Sequence, residues 1–169
     1  ALDSRDEGAT IFPYRSGYTN LGDTGAGFSL VVHCIPKYLA SDAVMYEIKP
    51  ASGVSSVKLE VVSGKVKATV APSSGTSCVI TTTRSLARDG ETPTCIIVTC
   101  DPDILEGNVK IFMDGKLEGQ SGPLAQTPTA SQWGNGKTPV GTGSSDYLRI
   151  GDFAGIYEEC ILYNTVIYP

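Results

Sequence analysis

Apolar and polar residues alternate with a period of two along most of this chain. In the stretch 57–62, Val57, Leu59 and Val61 alternate with Lys58, Glu60 and Val62, and in 65–70, Val66, Ala68 and Val70 alternate with Lys65, Lys67 and Thr69. Successive strand side chains point to opposite faces, so this pattern predicts two strands each burying one face. Ser63-Gly64 lies between them and predicts a two-residue hairpin turn. "FSLVVHCI" (28–35) places Phe28, Leu30, Val32 and Cys34 on one face. "AVMYEIK", "SCVITTT", "TCIIVTC", "NVKIFM", "KLEG", "YLRI" and "IYEECILY" read as further strands. In "KIFMDGKLEGQ" (110–120), Asp114-Gly115 supplies the positive φ angles of a second tight turn, with Ile111 and Met113 on one face and Lys110 and Phe112 on the other.

No window carries a 3.6-residue apolar period. The 19 glycines and 10 prolines punctuate the runs as turns. About ten short strands at regular spacing predict an all-β antiparallel sandwich or barrel. The stretch 119–145 breaks the pattern. It is rich in Gly, Ser, Thr, Pro and Gln, carries the single tryptophan, Trp133, and reads as a long surface loop.

Length and charge narrow the function. A chain of 169 residues is one domain, or one domain plus a tail. The 18 acidic and 13 basic residues give a net charge of -5, with the basic residues scattered, which argues against nucleic acid as a partner. No apolar stretch is long enough for membrane insertion by a helix. The start, "ALDSRDEGAT", lacks the apolar centre of a signal peptide, and the chain reads as a domain of something larger. The five cysteines, Cys34, Cys78, Cys95, Cys100 and Cys160, are odd in number and contain no C-x-x-C. Most read as small buried hydrophobes, which fits folding in a reducing compartment and is compatible with a surface role on a particle assembled inside cells. There is no N-x-[ST] sequon.

Three segments in order carry a family resemblance: "GAGFSLVVHCIP", "IIVTCDPDILEGNVKIFMDGKLEGQ" and "YLRIGDFAGIYEECILYN". Together they resemble the opening strand, the middle signature with its Asp-Gly hairpin, and the closing Ile-Gly to Tyr-Asn strand of laminin-G/concanavalin-A-like lectin (jelly-roll) domains. One departure is Pro93-Thr94, where that family often has a tryptophan before the strand. The resemblance implies an N-terminal arm with the first edge strand over 1–24 and a concanavalin-like β-sandwich over 25–169 interrupted by the 119–145 loop. Ile96, Val98, Cys100, Cys160 and Leu162 would join Leu30, Val32 and Cys34 in its core.

Enzyme chemistry finds little support. Asp23-Thr24-Gly25 resembles one half of an aspartic protease dyad, but a single copy lacks the facing carboxylate unless the chain dimerises, and the preceding "SGYTN" is not the apolar strand such enzymes use. "GNGKTP" lacks the first glycine of a phosphate loop, which is Ser131, and Pro139 stands where a helix should open. Two carboxylates working together on a strand need even spacing. Glu158 and Glu159 are adjacent and should point to opposite faces, and Asp101 and Asp103 flank Pro102 in a turn. The only histidine, His33, falls opposite the core face. The reading is therefore a non-enzyme with no catalytic residue assigned. The resemblance leaves calcium open as a ligand, since relatives bind it at loop ends. Asp101, Asp103, Asp146 and Asp152 stand near loop ends but read first as turn aspartates, and no metal ligand is assigned.

Binding is the better reading. A sugar is held by an aromatic face stacked on its C–H groups and by polar groups on its hydroxyls. Trp133 and Asn135 in the loop, followed by Asp146, Tyr147 and Arg149, have that chemistry, although Trp133 could equally anchor the loop on the sandwich. The expected function is a non-catalytic lectin-like module recognising a glycan or cell-surface receptor from the surface of a virion or extracellular structure. The alternative is a structural or interaction domain, such as a projection on a viral or phage particle, with self-association in a larger assembly and no sugar binding.

Overall fold

The computed structural model describes residues 2–3, 10–13, 27–37, 43–49, 57–71, 77–101, 104, 107–122, 147–151, 155–163 and 165–169. Among them are twelve strands and no helix: β1 (Leu2–Asp3), β2 (Thr10–Pro13), β3 (Phe28–Pro36), β4 (Ala43–Lys49), β5 (Val57–Val62), β6 (Lys65–Val70), β7 (Cys78–Ser85), β8 (Thr94–Cys100), β9 (Val109–Met113), β10 (Lys116–Gln120), β11 (Tyr147–Ile150) and β12 (Gly155–Tyr163). They form two six-stranded sheets, β1-β12-β3-β8-β9-β10 and β2-β11-β4-β5-β6-β7. Neighbouring strands are antiparallel throughout, as in the sandwich the alternation predicts. Sequence reading did not delimit β1 and β2, two short strands that add one edge to each sheet.

Both predicted hairpin turns form. Ser63 and Gly64 have φ of 51° and 79°, and Asp114 and Gly115 have 51° and 77°. Two successive positive φ angles match the right-handed twist of the flanking strands. The predicted inward faces are buried: Phe28, Leu30, Val32 and Cys34, then Ile96, Val98 and Cys100, face Val57, Leu59, Val61, Val66, Ala68 and Val70. Cys160 and Leu162 pack against this core from β12 while remaining partly exposed. The Tyr157 hydroxyl crosses between sheets and donates to the Met45 carbonyl at 2.9 Å, satisfying a phenol that is otherwise buried.

The sheets close on each other where β10 meets β7. A Cβ on Gly119 would lie 2.7 Å from Ile80 Cγ2 and 3.1 Å from the Thr81 carbonyl oxygen, so only glycine allows the approach. Polar contacts clasp the same edge. Glu118 Oε2 accepts from the Thr83 hydroxyl at 2.6 Å and the Arg84 amide at 3.0 Å. Asp114 Oδ1 accepts from the Cys95 amide at 2.9 Å, and its Oδ2 pairs with Arg84 Nη2 at 2.8 Å. The turn aspartate thus ties its own hairpin to β8 and to the opposite sheet.

One expectation fails. Glu158 and Glu159 do not take opposite faces, because a bulge interrupts the pairing of β12 with β3. Tyr157 stands opposite Cys34 and Glu159 opposite His33, which leaves Glu158 as the extra residue, and both glutamates are exposed. The bulge keeps a charge out of the core at a position where strict alternation would bury one.

The outer face of the first sheet is also partly apolar. Across five strands the register aligns Ile161, Val31, Ile97, Phe112 and Leu117 in one row. The next row is Tyr163, Ser29, Thr99, Lys110 and Gln120. The C-terminal segment lies along this second row. The Ile167 amide donates to Ser29 Oγ at 2.7 Å, and the Tyr168 hydroxyl donates to Asp101 Oδ2 at 2.8 Å. The Tyr168 ring meets Phe112 edge-on at 6.2 Å and lies 5.1 Å from Lys110 Nζ.

Replacing Gly119 with alanine tests the closure. The added methyl group meets backbone as well as side chain, so a loss of roughly 1–3 kcal/mol is expected, read as a lower urea midpoint with an unchanged slope. An unchanged midpoint would mean that β7 and β10 do not approach this closely.

Candidate functional site

The candidate residues fall on or just before β11. Trp133, Asn135 and Asp146 lie outside the described residues, as do Asp103 and Asp152. Tyr147 and Arg149 are placed by backbone register. Ile150 packs against the core. Tyr147 stands opposite Lys49 on β4 and Pro13 on β2. Arg149 belongs to a row that runs across the whole sheet: Ile11, Arg149, Glu47, Lys58, Thr69, Val79. The neighbouring row holds Val44, Glu60, Lys67 and Thr81. Where the outer face of the first sheet is partly apolar, this face of the second sheet is mostly charged and polar among its described side chains, with Val44 and Val79 as the apolar members of these two rows.

The charges on it are mutually compensated. Glu60 takes Lys67 Nζ at 3.0 Å and also pairs with Lys58. Burial works to raise the Glu60 pKa, but hydrogen bonds from Lys58 and Lys67 outweigh it and hold the carboxyl below its ordinary range. Two other carboxylates act as local acceptors. Asp89 caps the turn before β8, taking the Thr92 hydroxyl at 2.5 Å and the amides of Thr92 and Glu91 at 2.8 and 2.9 Å. These bonds, the Thr92 hydroxyl foremost, hold its pKa down to about 2. The Thr83 hydroxyl does the same for Glu118, assisted by the Arg84 amide and guanidinium.

Register also exposes a constellation that sequence spacing concealed. His33 stands between Glu159 on β12 and Cys95 on β8, all on the outer face of the first sheet. A nucleophilic cysteine needs its thiolate favoured. Here burial, with the carboxylates of Asp114 and Glu159, raises the Cys95 pKa. Burial likewise pushes Cys34 and Cys160 up to about 12 and Cys78 to about 11, so these thiols are neutral near pH 7. All five cysteines are unpaired. Among the described residues no group of three His, Cys, Asp or Glu side chains is arranged to hold a metal ion. Of the four loop-end aspartates considered for calcium, only Asp101 is described, and its carboxylate takes the Tyr168 hydroxyl. No described helix is long and apolar enough to cross a membrane.

Two antiparallel sheets packed through one core, with these connections, define a jelly-roll β-sandwich, and solved structures share the architecture. The binding domain of botulinum neurotoxin DC, solved in complex with rat synaptotagmin II, superposes with a TM-score of 0.56 at 12% identity, covering 94% of this chain and 37% of that one. The same domain solved with SialylT gives a TM-score of 0.58 at 9% identity, covering 94% and 36%. The heptameric SAP-like pentraxin of Limulus polyphemus gives 0.55 at 10% identity, covering 99% of this chain and 80% of that one. The sialidase of Trypanosoma rangeli gives 0.51 at 14% identity, over 85% of this chain and 21% of that one. The chain thus spans little more than a third of the toxin binding domain. No protein-family model matches the chain, and no curated protein matches it by sequence.

Two measurements test the electrostatics. Asp89, Glu60 and Glu118 have folded-state pKa values below their ordinary ones. Their stabilisation is therefore complete above the ordinary carboxylate range and is lost as pH falls through the folded values, ending near pH 2 for Asp89. The urea midpoint should hold from neutral pH to about 5 and fall below it, and Asp89→Asn should flatten the lowest part of that fall. Thiol titration of the native protein should find Cys34, Cys78 and Cys100 unreactive, with all five cysteines titrating in denaturant. Rapid labelling of Cys100 in the folded protein would contradict the core assignment.

Proposed function

We propose that this chain is a non-catalytic binding module that recognises a glycan or a glycan-bearing cell-surface receptor, displayed on the surface of a virion or extracellular structure as part of a larger protein. The observation that carries this reading is the register of β11. It sets Tyr147 opposite Lys49 and Arg149 opposite Glu47, with Lys58 next in that row. An aromatic ring next to donors and acceptors of both charges is the chemistry that sugar hydroxyls and C–H faces call for. The stretch of sequence that precedes this strand carries Trp133, Asn135 and Asp146, the residues expected to complete the site. The architecture shared with the toxin binding domain, solved with rat synaptotagmin II and with SialylT, supports a recognition role. The sialidase likeness adds no catalytic assignment, because it extends over a fifth of that enzyme.

A second reading has its own support. The apolar row on the outer face of the first sheet favours an interaction domain that packs within an assembly. The two roles use opposite faces and are compatible.

A glycan array probed with wild type, Trp133→Ala and Arg149→Ala tests the first reading. Wild type is expected to bind a restricted set of glycans, with both variants weaker by about tenfold or more while their circular dichroism is unchanged. Absence of wild-type binding to every glycan would overturn it.

A further inference from the structure

We propose that the segment 165–169 is a releasable strap, a lid that lifts off the outer face of the first sheet while the sandwich stays folded. The proposal is independent of what the second sheet binds.

The course of the strap follows from its contacts. Ser29 on β3, Thr99 on β8 and Lys110 on β9 are directly opposed and form one row across three adjacent strands. At the β3 end of that row the Ile167 amide donates to Ser29 Oγ at 2.7 Å. At the β9 end the Tyr168 ring lies 5.1 Å from Lys110 Nζ and meets Phe112 edge-on. Thr99 is the middle member of the row, so the strap passes over it between Ile167 and Tyr168. Asp101 shares that side of β8, two residues on, and takes the Tyr168 hydroxyl. This course explains why Ser29 and Thr99, on an outer face, are both at 0% exposure.

The cover fails at one atom. Thr99 Oγ1 is buried and has no hydrogen-bond partner. A hydroxyl taken out of water and left unpaired opposes the contact that buries it. With the strap lifted, the same hydroxyl bonds to water. The cost therefore falls on the docked state alone.

The attachments are of the weak kind. Tyr168 is 45% exposed, and its bond to Asp101 is open to water. Thr165 and Pro169 are exposed, and Val166 and Ile167 are only half-buried. The strands beneath are held on both sides: β3 lies between β12 and β8, and β8 between β3 and β9. A segment with few buried contacts opens far more readily than the laddered strands it rests on. Lifting it breaks none of those ladders. It uncovers two hydroxyls, Ser29 and Thr99, and frees one side of the Lys110 ammonium and the Phe112 ring.

Native-state amide exchange followed by NMR reads the opening. The Ile167 amide is expected to exchange about 100-fold or more faster than the amides of β3 and β8, at a rate that low urea leaves unchanged, since local opening exposes little surface. Thr99→Val keeps the shape and removes the unpaired hydroxyl, so it should slow Ile167 exchange by about threefold or more. Tyr168→Phe removes the bond to Asp101 and should speed it by about threefold or more. Circular dichroism checks that both variants fold. Exchange of Ile167 only with global unfolding, a Thr99→Val variant that exchanges as fast as wild type, or a Tyr168→Phe variant no faster, would overturn the proposal.

Discussion

Two sheets stacked face to face must close along an edge, and here the closure rests on a glycine. Gly119 lets β10 come within contact of Ile80 and the Thr81 carbonyl on β7, where any other residue would hold the sheets apart. Asp114 and Glu118 then engage Arg84 and Thr83 across the joint. Ion pairs this exposed contribute little by themselves. Their importance is geometric, since they fix which strand of one sheet lies over which strand of the other. Once that is fixed, alternation along each strand decides every residue's side.

The consequence is a molecule with two unlike exteriors. The outer face of the second sheet carries Lys58, Glu60 and Lys67, with Glu60 held between the two lysines. The outer face of the first sheet carries the apolar row through Val31 and Ile97, with the C-terminal segment laid along its flank. Polar groups exchange bonds with a hydrated ligand at small cost, whereas an apolar strip gains only by excluding water. Glu60 is held as an acceptor by Lys58 and Lys67, and burial keeps the Cys34 and Cys160 thiols neutral.

Much of the fold was legible in the sequence because its signals are local. Ser63-Gly64 and Asp114-Gly115 mark their own turns, and β5 and β6 announce their buried faces by strict alternation. What escaped reading depends on non-local pairing. β1 and β2 are two and four residues long and are strands only because β12 and β11 supply partners. The bulge at Glu158 is invisible until β12 is set against β3. In "FSLVVHCI" and "TCIIVTC" both parities are apolar, so alternation alone does not say which face is the core. The approach of His33 to Cys95 and Glu159 needed three strands in register. For the binding residues, the sequence supplied chemistry without placement. Register sets Tyr147 and Arg149 opposite Lys49 and Glu47 on β4, and Trp133, Asn135 and Asp146 fall outside the described residues.

The central claim is that the second sheet, around β11 and β4, carries the recognition surface. The most direct measurement is a map of backbone amide chemical shifts, recorded on titration with the best glycan from an array. The account predicts that the glycan moves residues of β11 and β4 around Arg149 and Glu47. Glycan-induced shifts confined to the first sheet would contradict it.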